Sequence, residues 1–296
     1  MSRGVKMSKA YVFYNPIAGN FSCKDKAMSI KKLVDDEIVF CDMTNEEEYR
    51  RGLMAPEGND YIIVCGGDGT LNRFVNFTAD MDIKCDVYYF PLGSGNDFAH
   101  EMNKTSEDKP FLINEYIKDL PTVTVNGKNY RFLNGIGYGI DGYCCEVGDK
   151  LRETAPGKQI NYTSIAIKGL LFHYKPTDAV ITVDGKKYEY KKVWLAPTMN
   201  GRFYGGGMIP TPAQKRNSGT LSTLVFHGSG KLRTLMIFPS IFKGEHINNP
   251  KYVEVLEGKN ITVEFKRPTA LQIDGETILG VTSYSATAYS KVPATV

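Results

Sequence analysis

The segment Cys65-Gly66-Gly67-Asp68-Gly69-Thr70-Leu71-Asn72 places three glycines around one carboxylate, between an apolar run and a helical pattern. Glycines let a backbone approach phosphate oxygens, and successive N–H groups make an anion nest. A helix that starts there points its positive end at the same place. A carboxylate repels bare phosphates, so Asp68 fits such a nest if a Mg²⁺ bridges the two. The bland alternative is a Gly-Asp-Gly turn with no ligand. A second loop, Pro91-Leu92-Gly93-Ser94-Gly95-Asn96-Asp97-Phe98-Ala99, follows the next apolar run, where ligands bind in open α/β sheets. It also fits a turn into a helix capped by Asn96 or Asp97. With Asn15-Pro16-Ile17-Ala18-Gly19 after the first apolar run, three loops can converge on one nucleotide. Far along the chain, Gln272-Ile273-Asp274-Gly275-Glu276 brings two more carboxylates. Asp274 opposite a γ-phosphate could accept the proton of an attacking hydroxyl. A plain hairpin fits the same residues.

The elements that must hold these loops change character near Pro121. Before it, strands are expected at Lys9–Tyr14, Ile38–Cys41, Tyr61–Cys65 and Val87–Phe90, alternating with helices at Lys24–Val34, Glu46–Leu53 and Thr70–Phe77. Alternation implies a parallel sheet covered by helices. After it, Val123–Phe132, Ile181–Tyr190 and Glu254–Phe265 read as three hairpins, about Asn126-Gly127, Asp184-Gly185 and Glu257–Asn260. One helical stretch, Asn161–Phe172, interrupts them. The expected fold is an α/β nucleotide-binding domain over residues 1–120 and an antiparallel β-sandwich over residues 121–296.

Composition narrows the class. The 296 residues are 42% hydrophobic and 23% charged, an ordinary globular balance. There is no apolar run of membrane-spanning length and no secretory signal in Met1 to Lys9; Met1 to Lys6 reads as a loose leader before Met7. The expected location is cytoplasmic. None of the six cysteines forms a C-x-x-C pair, which argues against zinc; the adjacent Cys144 and Cys145 read as buried thiols. The net charge of +3 is uneven: residues 1–120 carry −6 and residues 121–296 carry +9. A basic half suits an anionic surface, and also suits a merely solvated one.

Taken in order, the motifs at Asn15–Gly19, Gly66–Thr70, Gly93–Ala99 and Asp274–Glu276 resemble those of the diacylglycerol kinase catalytic-domain family, over nearly the whole chain. The glycine loop at Gly66–Thr70 is shared with NAD kinases; the Gly93–Ala99 segment discriminates. The resemblance implies an ATP-dependent lipid kinase, with diacylglycerol as the expected acceptor, a nucleotide domain, a lipid domain and a cleft between them. It implies that Asp68 organises Mg²⁺ and ATP, and that Asp274, with Glu276 in the same motif, supplies the general base. Asn15, Gly66, Gly67, Gly69, Thr70, Gly93, Ser94 and Asn96 would meet the nucleotide, and Asn134 and Asp141 the lipid headgroup, although a glycine-rich bend with Asp141 as a helix cap fits the latter two as well. The partner it implies is a lipid substrate at a membrane surface, reached by peripheral association. No nucleic acid or protein partner is inferred. A kinase of a soluble hydroxyl compound such as NAD, and a silent nucleotide or lipid sensor, are the other readings.

Two segments qualify the resemblance. Many bacterial members carry acidic residues after a G-G-G-M segment and hold a structural Mg²⁺ there. Here Gly205–Met208 is followed by Ala213, Asn217, Ser218 and Ser222 at the acidic positions, with Lys215 and Arg216 able to supply positive charge instead. Gly137-Tyr138-Gly139-Ile140-Asp141-Gly142 fits G-x-G-x-x-G, but Asn161-Tyr162 stands where a dinucleotide site needs a carboxylate, so it is rejected as one.

Overall fold

The computed structural model describes residues 8–18, 23–155, 160 and 162–289, and the chain divides into two compact units, Met1–Lys118 and Asp119–Val296. Gly19, Asn161 and the N-terminal leader lie outside the described residues.

The first unit runs β1 (Lys9–Tyr14), α1 (Cys23–Met28), β2 (Glu37–Asp42), α2 (Glu46–Met54), β3 (Tyr61–Gly66), α3 (Asp68–Phe77), β4 (Val87–Pro91), α4 (Asp97–Glu101), β5 (Phe111–Leu112) and α5 (Asn114–Ile117). Its sheet has the order β2-β1-β3-β4-β5, parallel except for β5. Parallel neighbours require crossovers, which the helices supply. The apolar runs of β1 and β3 are buried, as strands covered on both faces must be. Register then fixes the loops. Tyr14 pairs with Cys65, and Gly66 with Pro91, so β1, β3 and β4 end at one level. The order also reverses here, since β1 leads outward to β2 while β3 lies on its other side. That switch point is where an open α/β sheet leaves a crevice.

The second unit runs β6 (Thr122–Val125), β7 (Lys128–Arg131), β8 (Gly135–Tyr138), α6 (Ile140–Thr154), α7 (Tyr162–Lys168), β9 (Thr177–Val183), β10 (Lys186–Val193), β11 (Thr198–Met199), β12 (Leu221–Phe226), α8 (Lys231–Ile237), β13 (Val253–Gly258), β14 (Asn260–Ile273) and β15 (Glu276–Thr287). Its strands are antiparallel, in the path β13-β12-β11-β8-β14-β15-β6-β7, with β9 and β10 joined through β14. The long β14 shifts register after Glu264, pairing β9 with its first half and β8 with its last residues. The sheet thereby closes over a core that includes Ile136, Tyr138, Ile181, Val263, Leu271 and Tyr284.

Two of the expected hairpins form, at Asn126-Gly127 and Asp184-Gly185, with positive φ at both turn residues as a type I′ turn demands. The third does not. β13 pairs with β12, while β14 leaves along β9. The cause is the Asp184 carboxylate, which accepts the N–H groups of Lys259 and Asn260 and ties the link to the β9–β10 turn. Gly258 is packed so closely there that a Cβ would come within 2.3 Å of Val183. The third hairpin of the sandwich is instead β14–β15, closed by Asp274-Gly275 with φ of 46° and 97°.

The single helical stretch expected in this half is joined by α6 and α8. α6 hides in the sequence because Gly142 and Gly148 weaken helical propensity. Packing requires both glycines: a Cβ on Gly142 would lie 1.8 Å from the Ala270 carbonyl oxygen, and one on Gly148 would meet the Tyr162 ring. Among the described residues, no helix is long and apolar enough to cross a membrane.

Candidate active site

In the first unit the two glycine loops touch. A Cβ on Gly93 would lie 2.5 Å from the Cα of Gly67, and one on Gly67 would lie 3.0 Å from the Cα of Gly93. Only residues without side chains allow this approach. Gly66 is held by two contacts to its carbonyl, from Leu92 N–H at 2.8 Å and the Tyr89 hydroxyl at 2.9 Å. Its missing Cβ leaves room for the Thr70 hydroxyl, which would otherwise be 2.4 Å away. α3 begins at Asp68, two residues before the expected Thr70, with Gly67 as its N-cap; Gly69 lies in its first turn and Thr70 is buried. Its first N–H groups therefore face the loop edge.

Asp68 links the motifs. Its Oδ2 accepts the Asp97 N–H and its Oδ1 the Phe98 N–H, each at 3.0 Å. One carboxylate thus caps α4 across the two loops. Asn96 closes the second loop, accepting from Gly93 N–H at 2.9 Å and donating to the Gly93 carbonyl at 2.8 Å. It does so from a left-handed conformation, φ 50°. Ser94 stands exposed at the tip. Asn15 follows β1 directly, and its side-chain oxygen accepts the Ile17 N–H at 3.2 Å. The structure thus brings Asn15, Gly66–Thr70 and Gly93–Asn96 to one edge of one sheet.

In the second unit Asp274 is more than a turn residue. Its Oδ2 accepts the Leu133 N–H at 2.6 Å, and its Oδ1 the N–H groups of Asn134 and Gly135 at 2.8 and 3.0 Å. Three donors fix the plane of this buried carboxylate. At exposed Asp184, the backbone N–H groups of Asn260 and Lys259 hold the carboxyl below its ordinary value. Glu276 opens β15 on the exposed side of the turn.

The opposite side of the Leu133–Gly135 segment is held too. Arg216 donates to the Leu133 carbonyl and, at 2.9 Å, to Asn134 Oδ1; Asn200 donates to the same carbonyl at 2.8 Å. Asn134 is accordingly buried in a polar network. Gln214 Nε2 donates to the carbonyls of Asn200, Lys215 and Thr220 at 3.3, 3.2 and 3.0 Å, while its oxygen accepts from Ser222. Ala213, Asn217 and Ser218 are exposed, and the Ser218 hydroxyl bonds to Thr220. Among the described residues, no group of three or more His, Cys, Asp or Glu side chains could hold a metal ion.

Asp141 lies in the first turn of α6, buried, and accepts from Gln272 Nε2 at 2.9 Å. Burial pushes its carboxyl up to about 6, with the Gln272 bond opposing. Gln272 also accepts the Gly275 N–H at 2.6 Å, so one amide ties Asp141 to the Asp274-Gly275 turn. The three glycines around Asp141 serve packing. Gly137 leaves room for the Asp141 and Gln272 side chains, Gly139 (φ 107°) for the Trp194 carbonyl, and Gly142 for β14. Burial also raises the Cys144 and Cys145 thiols, which disfavours thiolate chemistry.

Gln214, Gln272 and Asn200 carried no signal in the sequence. A lone amide has no motif; its role comes from which carbonyls the fold brings to it. Arg216 did carry one, as a cation beside missing carboxylates.

Residues 9–123 match the model of the diacylglycerol kinase catalytic domain, and residues 134–293 that of the YegS C-terminal NAD kinase beta sandwich-like domain. A protein of Staphylococcus aureus strain Mu3 named "Putative lipid kinase" is 25% identical over 265 residues, 86% of this chain and 81% of that one. Two solved structures from Bacillus anthracis str. Sterne share the fold. "A putative diacylglycerol kinase" has a TM-score of 0.64 at 21% identity, covering 95% of this chain and 94% of its own. A second crystal structure has a TM-score of 0.63 at 20% identity, covering 100% of both.

Proposed function

Because the chain belongs to the diacylglycerol kinase catalytic-domain family, whose members are nucleotide-using kinases, we propose that it transfers the γ-phosphoryl group of ATP to a lipid hydroxyl, with diacylglycerol as the acceptor. The observation that carries the nucleotide half of this reading is the Gly67–Gly93 contact at the switch point. There, a cradle that a Cβ would fill lies beside the first N–H groups of α3. Asn15, Thr70, Ser94 and Asn96 would contact the nucleotide around it. Asp68 stands in the same cradle and would hold Mg²⁺, which when bound neutralises charge on the phosphates. Lipid as the acceptor rests on the name of the relative and on the basic second half.

Asp274 is the residue that takes the acceptor's proton. Phosphoryl transfer asks its base chiefly to orient the attacking hydroxyl, because the transition state is loose. A carboxylate held in plane by three N–H groups suits that task; Asn134 and Asp141 would serve the acceptor headgroup, and Glu276 lies beside the turn. The C-terminal model's likeness to NAD kinases favours one second reading, with NAD as the acceptor. Radiolabelled ATP offered with diacylglycerol, monoacylglycerol, sphingoid base, phosphatidylglycerol or NAD tests both. Label in diacylglycerol supports the proposal; label in NAD alone replaces it.

A further inference from the structure

Two short segments of the second unit are apolar and basic at once. Residues 162–175 and 227–243 contain no Asp or Glu, and together they carry Lys168, Lys175, Lys231, Arg233 and Lys243. All five are exposed. The fold brings the segments side by side. Leu170 and Tyr174 share one core with Ile237 and Ile241, and Lys231 Nζ donates to the Leu171 carbonyl at 2.7 Å.

The inward faces are filled, so the outward faces stand out. In α8, Thr234 and Ile237 are buried, while Leu232 and Met236, one turn apart, are 76% and 64% exposed. α7 runs into a π turn, Gly169–His173, that buries Gly169 and Leu170 and leaves Phe172 71% exposed. Single exposed apolar residues are ordinary. Three such side chains from two neighbouring segments, which carry five cations and no carboxylate of their own, form an apolar patch with a basic edge. Water gives such a patch nothing, whereas a bilayer surface takes both parts: side chains enter the acyl boundary and cations meet anionic headgroups.

We propose that Phe172, Leu232 and Met236 insert into the surface of an anionic phospholipid bilayer, with Lys168, Lys231 and Arg233 on the headgroups. This deepens the lipid-kinase reading and rests on it for its purpose, but the binding is measured without turnover. The two therefore fail separately: vesicle binding without lipid phosphorylation removes the kinase reading and leaves the surface.

The test is sedimentation with vesicles of equimolar phosphatidylglycerol and phosphatidylcholine. The double variant Phe172→Ser, Leu232→Ser should bind them at least about tenfold more weakly. Lys168→Gln, Arg233→Gln should lose the preference over phosphatidylcholine vesicles and the salt sensitivity. In Phe172→Trp, brominated phosphatidylglycerol should quench the new indole. In the wild type it should leave Trp194, which is 2% exposed, untouched. Wild-type binding in both double variants, or no quenching of the new indole, overturns the proposal. So does a wild-type dimer that the serine substitutions dissolve, since the patch would then face a second copy.

Discussion

The backbone N–H of Asp97 donates to the carboxylate of Asp68 at 3.0 Å, across 29 positions of sequence. This bond and its companion from Phe98 make Asp68 part of the frame that holds the second glycine loop. Asp68→Ala should therefore do two things at once. It should leave two N–H groups without their acceptor, costing about 1–2 kcal/mol of stability. It should also abolish Mg²⁺-dependent ATP binding. Denaturant unfolding and calorimetry with and without Mg²⁺ read the two effects. Unchanged ATP affinity and unchanged metal dependence would reduce Asp68 to a helix cap.

Gly93→Ala tests the cradle itself. Its Cβ would sit 2.5 Å from the Cα of Gly67 and 2.8 Å from Asn96 Oδ1, so backbone must move. ATP affinity should fall by at least about tenfold. Calorimetry that finds wild-type affinity would place the nucleotide elsewhere.

Asp141 sets a pH dependence. Its carboxyl is raised to about 6 by burial, so the neutral form is the one the fold favours. The stabilisation is complete below the ordinary carboxylate value and is lost as pH rises through about 6. The loss amounts to about 2–3 kcal/mol at most. Asp141→Asn should flatten stability between pH 4 and pH 7, measured by urea unfolding at each pH. A variant as pH-dependent as the wild type would assign the effect to another group.

The loop after Pro212 is arranged around an amide. Gln214 donates to three carbonyls that could otherwise ligate a cation, and Arg216 holds the Leu133 carbonyl. Mg²⁺ soaked into the nucleotide-free protein should give no octahedral ion at Gln214–Gly219. Gln214→Glu should acquire Mg²⁺-dependent thermal stabilisation, because a carboxylate among carbonyls suits a hard cation. An octahedral ion in the wild-type loop without nucleotide would contradict this.

The sheet edge where the glycine loops meet was readable because glycine loops, apolar strands and their order are local signals. The run Tyr61–Cys65 could be little other than a buried parallel strand, and Gly66–Thr70 had to leave its end. The third hairpin was misread for a physical reason. Glu257–Asn260 has the composition of a turn, but what decides the partner of β14 is the Asp184 carboxylate, 75 positions from Lys259. α6 was missed because its glycines serve contacts with Ala270 and Tyr162 that no local pattern encodes. Asp274 was legible as a carboxylate in a motif. That it receives three N–H groups from residues about 140 positions earlier was not.

Asp274 carries the central claim. Asp274→Asn keeps the turn but sets an amide before three N–H donors, so stability should fall by about 1–3 kcal/mol. The decisive measurement is the transfer of label from γ-radiolabelled ATP to diacylglycerol in mixed vesicles, at a temperature where both proteins are folded. Wild-type protein should label diacylglycerol, and Asp274→Asn should do so about 10²–10⁴-fold more slowly with its ATP affinity intact. Wild-type turnover in the variant, or no label in any lipid from the wild type, would contradict the account.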